Sequence, residues 1–148
     1  MISKAVTIIV YGSPAPQGSK KFLGRTKTGR GIMGEVSKKV KPWRMDVKAA
    51  AELVRNGSPA MDGPLRARMV FTLPKPASAP KTRRSWPCTR PDVSKLCRST
   101  EDALTDAGLI KDDARIIGYS RLEKVYPGED PEALTVPGVR ITIEQVRE

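Results

Sequence analysis

Arg90-Pro91-Asp92-Val93-Ser94-Lys95-Leu96-Cys97-Arg98, followed by Glu101-Asp102-Ala103-Leu104 and Gly108-Leu109-Ile110-Lys111-Asp112-Asp113-Ala114, is the stretch that decides the fold. It reads as a basic loop closing on a carboxylate, a short helix, and a carboxylate pair. Pro91 lacks a backbone donor and disfavours helix before it, and Asp92 is a residue type that caps free helix N–H groups, so a helix is predicted from Val93. Gly108 is where it stops. At about 100° per residue, Val93, Leu96, Cys97, Ala103, Leu104 and Ala107 share one side, which is assigned to the core. Lys95, Ser99, Asp102 and Asp106 fall opposite, with Arg98 four residues before Asp102 and able to pair with it across one turn. The plain account of Glu101, Asp102 and Asp106 is a solvated helix face. Asp92 and the pair Asp112 and Asp113 stand apart, because they sit where the chain changes direction and acids can converge.

Upstream, Ala5 to Tyr11 reads as a strand with Val6, Ile8, Ile9 and Val10 buried on both faces. Gly12 to Gly18 breaks it. From Lys20 to Lys41 the sequence predicts a long basic loop carrying Lys20, Lys21, Arg25, Lys27, Arg30, Lys38, Lys39 and Lys41 against a single acid, Glu35. Such a segment buries too little apolar surface to order itself and is expected to stay mobile until a phosphate backbone neutralises it. It is not a Walker loop, since it lacks the Gly-Lys-Ser/Thr ending. Pro42 opens a helix running to Val54 or Arg55, with Met45, Ala49 and Leu53 inward and Trp43 beside them. Leu65 to Leu73 alternates as a strand, which turns Arg66 and Arg68 toward solvent or DNA. A second irregular basic stretch, Pro74 to Arg90, carries Lys75, Lys81, Arg83, Arg84 and Arg90. Trp86 lies within it; packing onto the domain is the commoner fate of such a residue, and stacking on an unpaired base is the alternative.

Downstream, Ala114 to Tyr126 is read as one or two strand segments, Pro127 to Pro131 as a turn, and Val139 to Glu144 as a final alternating strand. The order β-α-β-α-β-β gives an α+β fold, a mixed sheet with two helices packed on one face, expected as one domain over residues 1–148.

Composition narrows the chemistry. There is no histidine, which removes Ser-His-Asp and Cys-His nucleophiles, the HExxH metalloprotease and zinc sites that need imidazole. Two cysteines, Cys88 and Cys97, are too few for a disulfide framework, and Cys97 is read as a buried thiol. No long apolar run predicts a membrane span or a signal segment, so a cytoplasmic protein is expected. The net charge of +11 is unevenly placed: residues 1–98 carry +16 and residues 99–148 carry −5. A basic front suits a polyanion, while the acidic rear keeps carboxylates where they could hold metal.

Residues 90–118 resemble the RusA family of Holliday-junction resolvases, whose pattern runs roughly Pro/Arg-Asp-x-Asp-Asn-x-x-Lys, then Asp-Ala-Leu, Gly and Asp-Asp before a strand. The rest of the chain matches in outline. The resemblance places the family's first motif acid on Asp92, its acidic pair on Asp112 and Asp113, and its helix lysine on Arg98. Ser94 stands where a second motif acid is usual, and Lys95 where asparagine is usual. What this implies is a structure-selective endonuclease that cuts branched DNA in recombination and repair, of a kind suited to a bacterium or phage. Asp92, Asp112 and Asp113 are then the metal acids, with Asp113 favoured and Asp112 a second ligand or an orienting group. Arg98 or Lys95 would offset charge building up on the phosphoryl oxygens. Lys20, Lys21, Arg25, Lys27, Arg30, Lys81, Arg83, Arg84 and Arg90 are the candidate DNA contacts.

Magnesium, with manganese as its substitute, is the expected ion, because one or two carboxylates plus phosphate oxygens suffice to hold it. A helix from Val93 to Ala107 is roughly 20 Å long and separates Asp92 from Asp112 and Asp113. A two-fold homodimer with antiparallel helices would instead join Asp92 of one subunit to Asp113 of the other. The competing function is a non-catalytic DNA-binding protein on the same scaffold, weakened by Ser94. Charge alone also suggests an RNA-binding protein of ribosomal type, with neither RNP-type aromatics nor a GXXG clamp to support it.

Overall fold

The computed structural model describes residues 4–18, 20–25, 31–35 and 38–147, with side chains described outside 19–37. Strand β1 (Ala5–Tyr11) is followed by β2 (Lys20–Arg25) and β3 (Gly31–Glu35), helix α1 (Val40–Arg55), β4 (Leu65–Thr72), helix α2 (Val93–Asp106), a 3-10 turn over Asp113–Arg115, β5 (Ile116–Val125) and β6 (Gly138–Gln145). The main sheet has the order β1-β6-β4-β5, with β4 and β5 parallel and the other pairs antiparallel. This is the α+β architecture that the alternation predicts, with one addition.

The addition falls in the first basic arm, where a loop is expected and an antiparallel two-stranded ribbon, β2 with β3, is found. Pairing two short segments satisfies their backbone N–H and C=O groups locally, without the apolar burial whose lack points to a loop. Lys20, Lys21 and Arg25 lie on β2, whose side chains are outside the described set, and Lys27 and Arg30 lie outside the described residues.

β4 is central, paired along both edges with β6 and β5, and both of its faces are covered. Leu65, Ala67, Met69 and Phe71 join Ile141, Ile143, Ile8 and Val10 under the helices. Val70 and Thr72, on the other face, are also fully buried. The segment after β5 crosses that face, where Leu134 N–H donates to Thr72 Oγ1 at 2.9 Å. Arg68 is held there by Glu132 instead of facing DNA. β1 is an edge strand, and only Ile8 and Val10 are buried; Ile9 faces out.

α1 uses a different face from the expected one. Val40, Trp43, Val47 and Ala51 are buried, whereas Met45 and Leu53 are 62% and 80% exposed and Ala49 is exposed as well. The two stripes are both helically spaced, and the one containing Trp43 buries more area. Its indole N–H also donates to Thr100 Oγ1 at 3.3 Å, joining α1 to α2.

Candidate functional site

α2 begins and ends where the sequence places it. Its apolar side, Leu96, Cys97, Ala103 and Leu104, is buried, and Gly108 closes it with φ of +73°, a conformation that costs glycine little. Two residues depart from the expected faces. Ser99, assigned to the solvent side, is buried and donates to Ala15 O at 2.7 Å. Asp92 occupies the cap position with no side-chain cap bond; its backbone carbonyl accepts from Lys95 N–H and Leu96 N–H instead. The Asp92 carboxylate is therefore not used by the helix and stands exposed.

That carboxylate borders a cleft of about 580 Å3 between the Pro14–Gly18 segment and the start of α2, lined also by Arg90 and Lys95. The segment is fixed against α2 by the Ser99 bond and by Gln17 N–H donating to Lys95 O at 2.9 Å. Lys95 Nζ lies 3.8 Å from Asp92 Oδ2, a loose contact between two exposed groups.

The acidic pair sits at the other end of α2. The connection from Gly108 does not run back along the helix. It is pinned to the segment before β4 by Met61 N–H to Leu109 O at 2.8 Å and Lys111 N–H to Met61 O at 2.9 Å. Arg115 reinforces the junction by pairing with Asp62 at 2.8 Å. Asp112 and Asp113 precede β5 instead of lying in it, so strand alternation does not separate them. Asp112 Oδ1 accepts from Ala114 N–H at 2.7 Å and caps the 3-10 turn. Asp113 turns to α2, where Thr105 Oγ1 donates to its Oδ1 at 3.4 Å.

Asp113 is not alone there. Burial raises the Glu101 carboxyl above the usual range, opposed by a hydrogen bond from Tyr119 and reinforced by the negative charge of Asp113. Asp102 is raised for the same leading reason, with Arg44 opposing and Asp113 adding to the rise. Arg98, exposed on α2, lowers Asp102 more weakly through its charge. Tyr119, on β5, donates to Glu101 and accepts from Cys97 Sγ at 3.1 Å, and burial pushes the Cys97 thiol up to about 11. Cys97 is thus the buried thiol expected from its position, and an unreactive one. Glu101 and Asp102, which periodicity assigns to solvent, are instead half-buried, and both feel the charge of Asp113. Cys97, Glu101 and Thr105 recur at four-residue spacing along the border of the apolar stripe, which is the sequence signal that could have found this arrangement.

The donors at this end are hard oxygens, the set that magnesium accepts. Among the described residues no three His, Cys, Asp or Glu side chains are grouped to hold a metal ion, but one or two carboxylates completed by phosphate oxygens meet the requirement. The residues therefore fit such an ion, with Asp113 at one end of α2 and Asp92 at the other.

In the second basic arm Lys81, Arg83, Arg84 and Arg90 are all exposed. Lys81, Arg83 and Arg84 line a shallow hollow of about 480 Å3 with Lys75 and Glu129. Arg84 is partly committed, since its Nη2 donates to Asp130 Oδ2 at 2.9 Å. Asp130 is also gripped by Arg121 at 2.8 and 2.9 Å, and these arginines hold its carboxyl far below the usual range.

No helix among the described residues is long and apolar enough to cross a membrane. Comparison with curated proteins returned no match. A family model described as Endodeoxyribonuclease RusA matches residues 12–144, nearly the whole chain, including both ends of α2, the acids around Asp113 and the second basic arm, and the chain belongs to that family.

Proposed function

We propose that this protein is a homodimeric, magnesium-dependent endonuclease that cuts branched DNA such as Holliday junctions, as one domain over residues 1–148. Family membership supports the nuclease class. The observation that carries the rest is the placement of Asp92 and Asp113 at opposite ends of α2, one beside a basic cleft and the other backed by Glu101 and Asp102. Asp113 and Asp92 of the partner subunit would hold the ion, with Asp112 orienting the turn that presents Asp113. When bound, magnesium supplies Lewis-acid polarisation of the phosphate and a water of lowered pKa. The chain's own residues do the remainder. Arg98 and Lys95 offset negative charge on the phosphoryl oxygens. Arg90, Lys81 and Arg83 attract the backbone of the incoming arms, and the first basic arm adds Lys20, Lys21, Arg25, Lys27 and Arg30.

A labelled four-way junction and a matching linear duplex, each with and without magnesium, test the reading beside Asp113→Asn. Metal-dependent cutting of the junction, abolished by the substitution, is expected. Tight junction binding without cutting in any divalent ion would favour the non-catalytic DNA-binding alternative, to which the serine at position 94 gives its one support.

A further inference from the structure

The second basic arm holds a feature that the proposed hydrolysis does not use. Trp86 is 59% exposed, against the expectation that it packs onto the domain. The chain has two tryptophans, and the other, Trp43, is buried and hydrogen-bonded. An indole left in water costs free energy that a small rotation of a free loop would recover by folding the ring inward. This loop is not free to do so. Ser85 N–H donates to Glu129 Oε1 at 2.8 Å, Pro87 is buried, and Arg84 is tied to Asp130. The Arg84 guanidinium also lies 4.8 Å from the Trp86 ring centroid, which fixes one side of the indole by cation–π attraction. Asp130, 6% exposed as a side chain, is anchored in turn by Arg121 on β5. The ring is therefore held outward by groups bonded down to the sheet, between exposed Arg83 and Arg90.

We infer that Trp86 is a preorganised stacking platform for a nucleobase unpaired at the branch point, with Arg84 as its positioning residue. A linear duplex offers no such base without unstacking, whereas a branch point does at lower cost, so the platform contributes to selectivity between structures. The second basic arm would then carry two kinds of contact: Lys81 and Arg83 to phosphates of any duplex, and Trp86 to the branch alone. This rests on the branched-DNA reading above.

Affinities for a four-way junction and for the matching duplex, measured in EDTA for wild type, Trp86→Phe and Trp86→Ala, test it. Trp86→Ala is expected to weaken junction binding on the order of tenfold or more and duplex binding far less, with Trp86→Phe retaining most of the junction affinity. Tryptophan emission should be quenched by the junction in wild type and not in Trp86→Ala, because buried Trp43 is out of reach. Equal losses on both DNAs, no loss on either, or failure of phenylalanine to rescue would each overturn the platform. So would a change in assembly state of Trp86→Ala by sedimentation, which would make the exposed indole a protein contact. Wild type that shows no preference for the junction defeats the branched-DNA reading itself; wild type and Trp86→Ala that prefer it equally defeat only this inference.

Discussion

If Asp92 and Asp113 act on one phosphate, they must come from different subunits, and mixing experiments can establish this. α2 holds 14 residues, so at 1.5 Å per residue its ends are about 20 Å apart. Oxygen ligands of one magnesium ion, each about 2 Å from it, lie no more than about 4 Å from one another. Asp113 touches Thr105, near the end of α2, and Asp92 precedes its first residue, so no side-chain rotation closes that gap within a protomer. In an antiparallel dimer each site takes Asp92 from one subunit and Asp113 from the other. Asp92→Asn and Asp113→Asn chains are each expected to be inactive. In a mixed dimer one site loses both aspartates and the other regains both. With free exchange at equal amounts, half of the dimers are mixed and each has one intact site, so nicking returns to about one quarter of the wild-type rate. Nicking is the quantity to score, because resolution needs cuts on two strands. Differently tagged chains, recovered together, verify that mixed dimers formed. Recovery of mixed dimers with no more nicking than the parents would refute the shared site, since a site contained in one protomer is never restored by mixing.

Three further outcomes follow from the same structure. Ser94→Asp places a carboxylate in the first turn of α2, where the helix dipole favours it by about 0.5 kcal/mol, and should raise junction cutting at limiting magnesium; an unchanged magnesium dependence would show that Ser94 is not the missing acid. Asp130, Glu129 and Glu132 are all held below the ordinary carboxylate range by Arg121, Lys75 and Arg68 respectively as leading partners. The stability they contribute is present above the unfolded values near pH 4 and is lost as pH falls below them toward the depressed ones, so the urea midpoint should drop on acidification and Asp130→Asn should flatten that dependence. Gly138→Ala would drive a methyl group into the Val10 carbonyl and to 2.8 Å from Leu134 Cδ1. Because Gly138 lies between Tyr11 and Thr72 in the sheet, a loss of about 3 kcal/mol is expected in urea unfolding.

The parts of the fold that could be read from sequence were those with one dominant periodicity. β4 and β6 alternate, and α2 has a single apolar stripe, so their positions and apolar sides emerge directly, but not the cover over Val70 and Thr72 or the burial of Ser99. α1 carries two competing stripes. Met45, Ala49 and Leu53 repeat at four-residue spacing, and so do Trp43, Val47 and Ala51, so only tertiary packing decides between them. The β2–β3 ribbon was invisible for a different reason, since its order comes from backbone pairing and not from a hydrophobic face.

The site was legible as residue types and illegible as partners. Asp92 and Asp113 mark the two ends of α2, yet nothing in the spacing says that Gly108–Lys111 is tied to Met61, which keeps the ends apart, or that Glu101 turns toward Tyr119. Net charge misled in a similar way. The acidic excess after residue 98 looks like a reserve of metal ligands, but Glu123, Glu129, Asp130 and Glu132 all pair with Arg or Lys side chains. Asp130 in particular is almost buried between Arg84 and Arg121, where releasing its carboxylate to an ion would break its bonds to both guanidinium groups. An acid so engaged serves as an anchor for the Trp86 arm. Asp92 and Asp113 face the opposite situation: the first meets a loose lysine contact at 3.8 Å, and the second lies near Glu101 and Asp102, whose carboxyls are raised mainly by burial and further by its charge. A divalent cation held there, as proposed, would relieve that repulsion, whereas the acids paired with Arg and Lys are already neutralised, a difference that composition does not show.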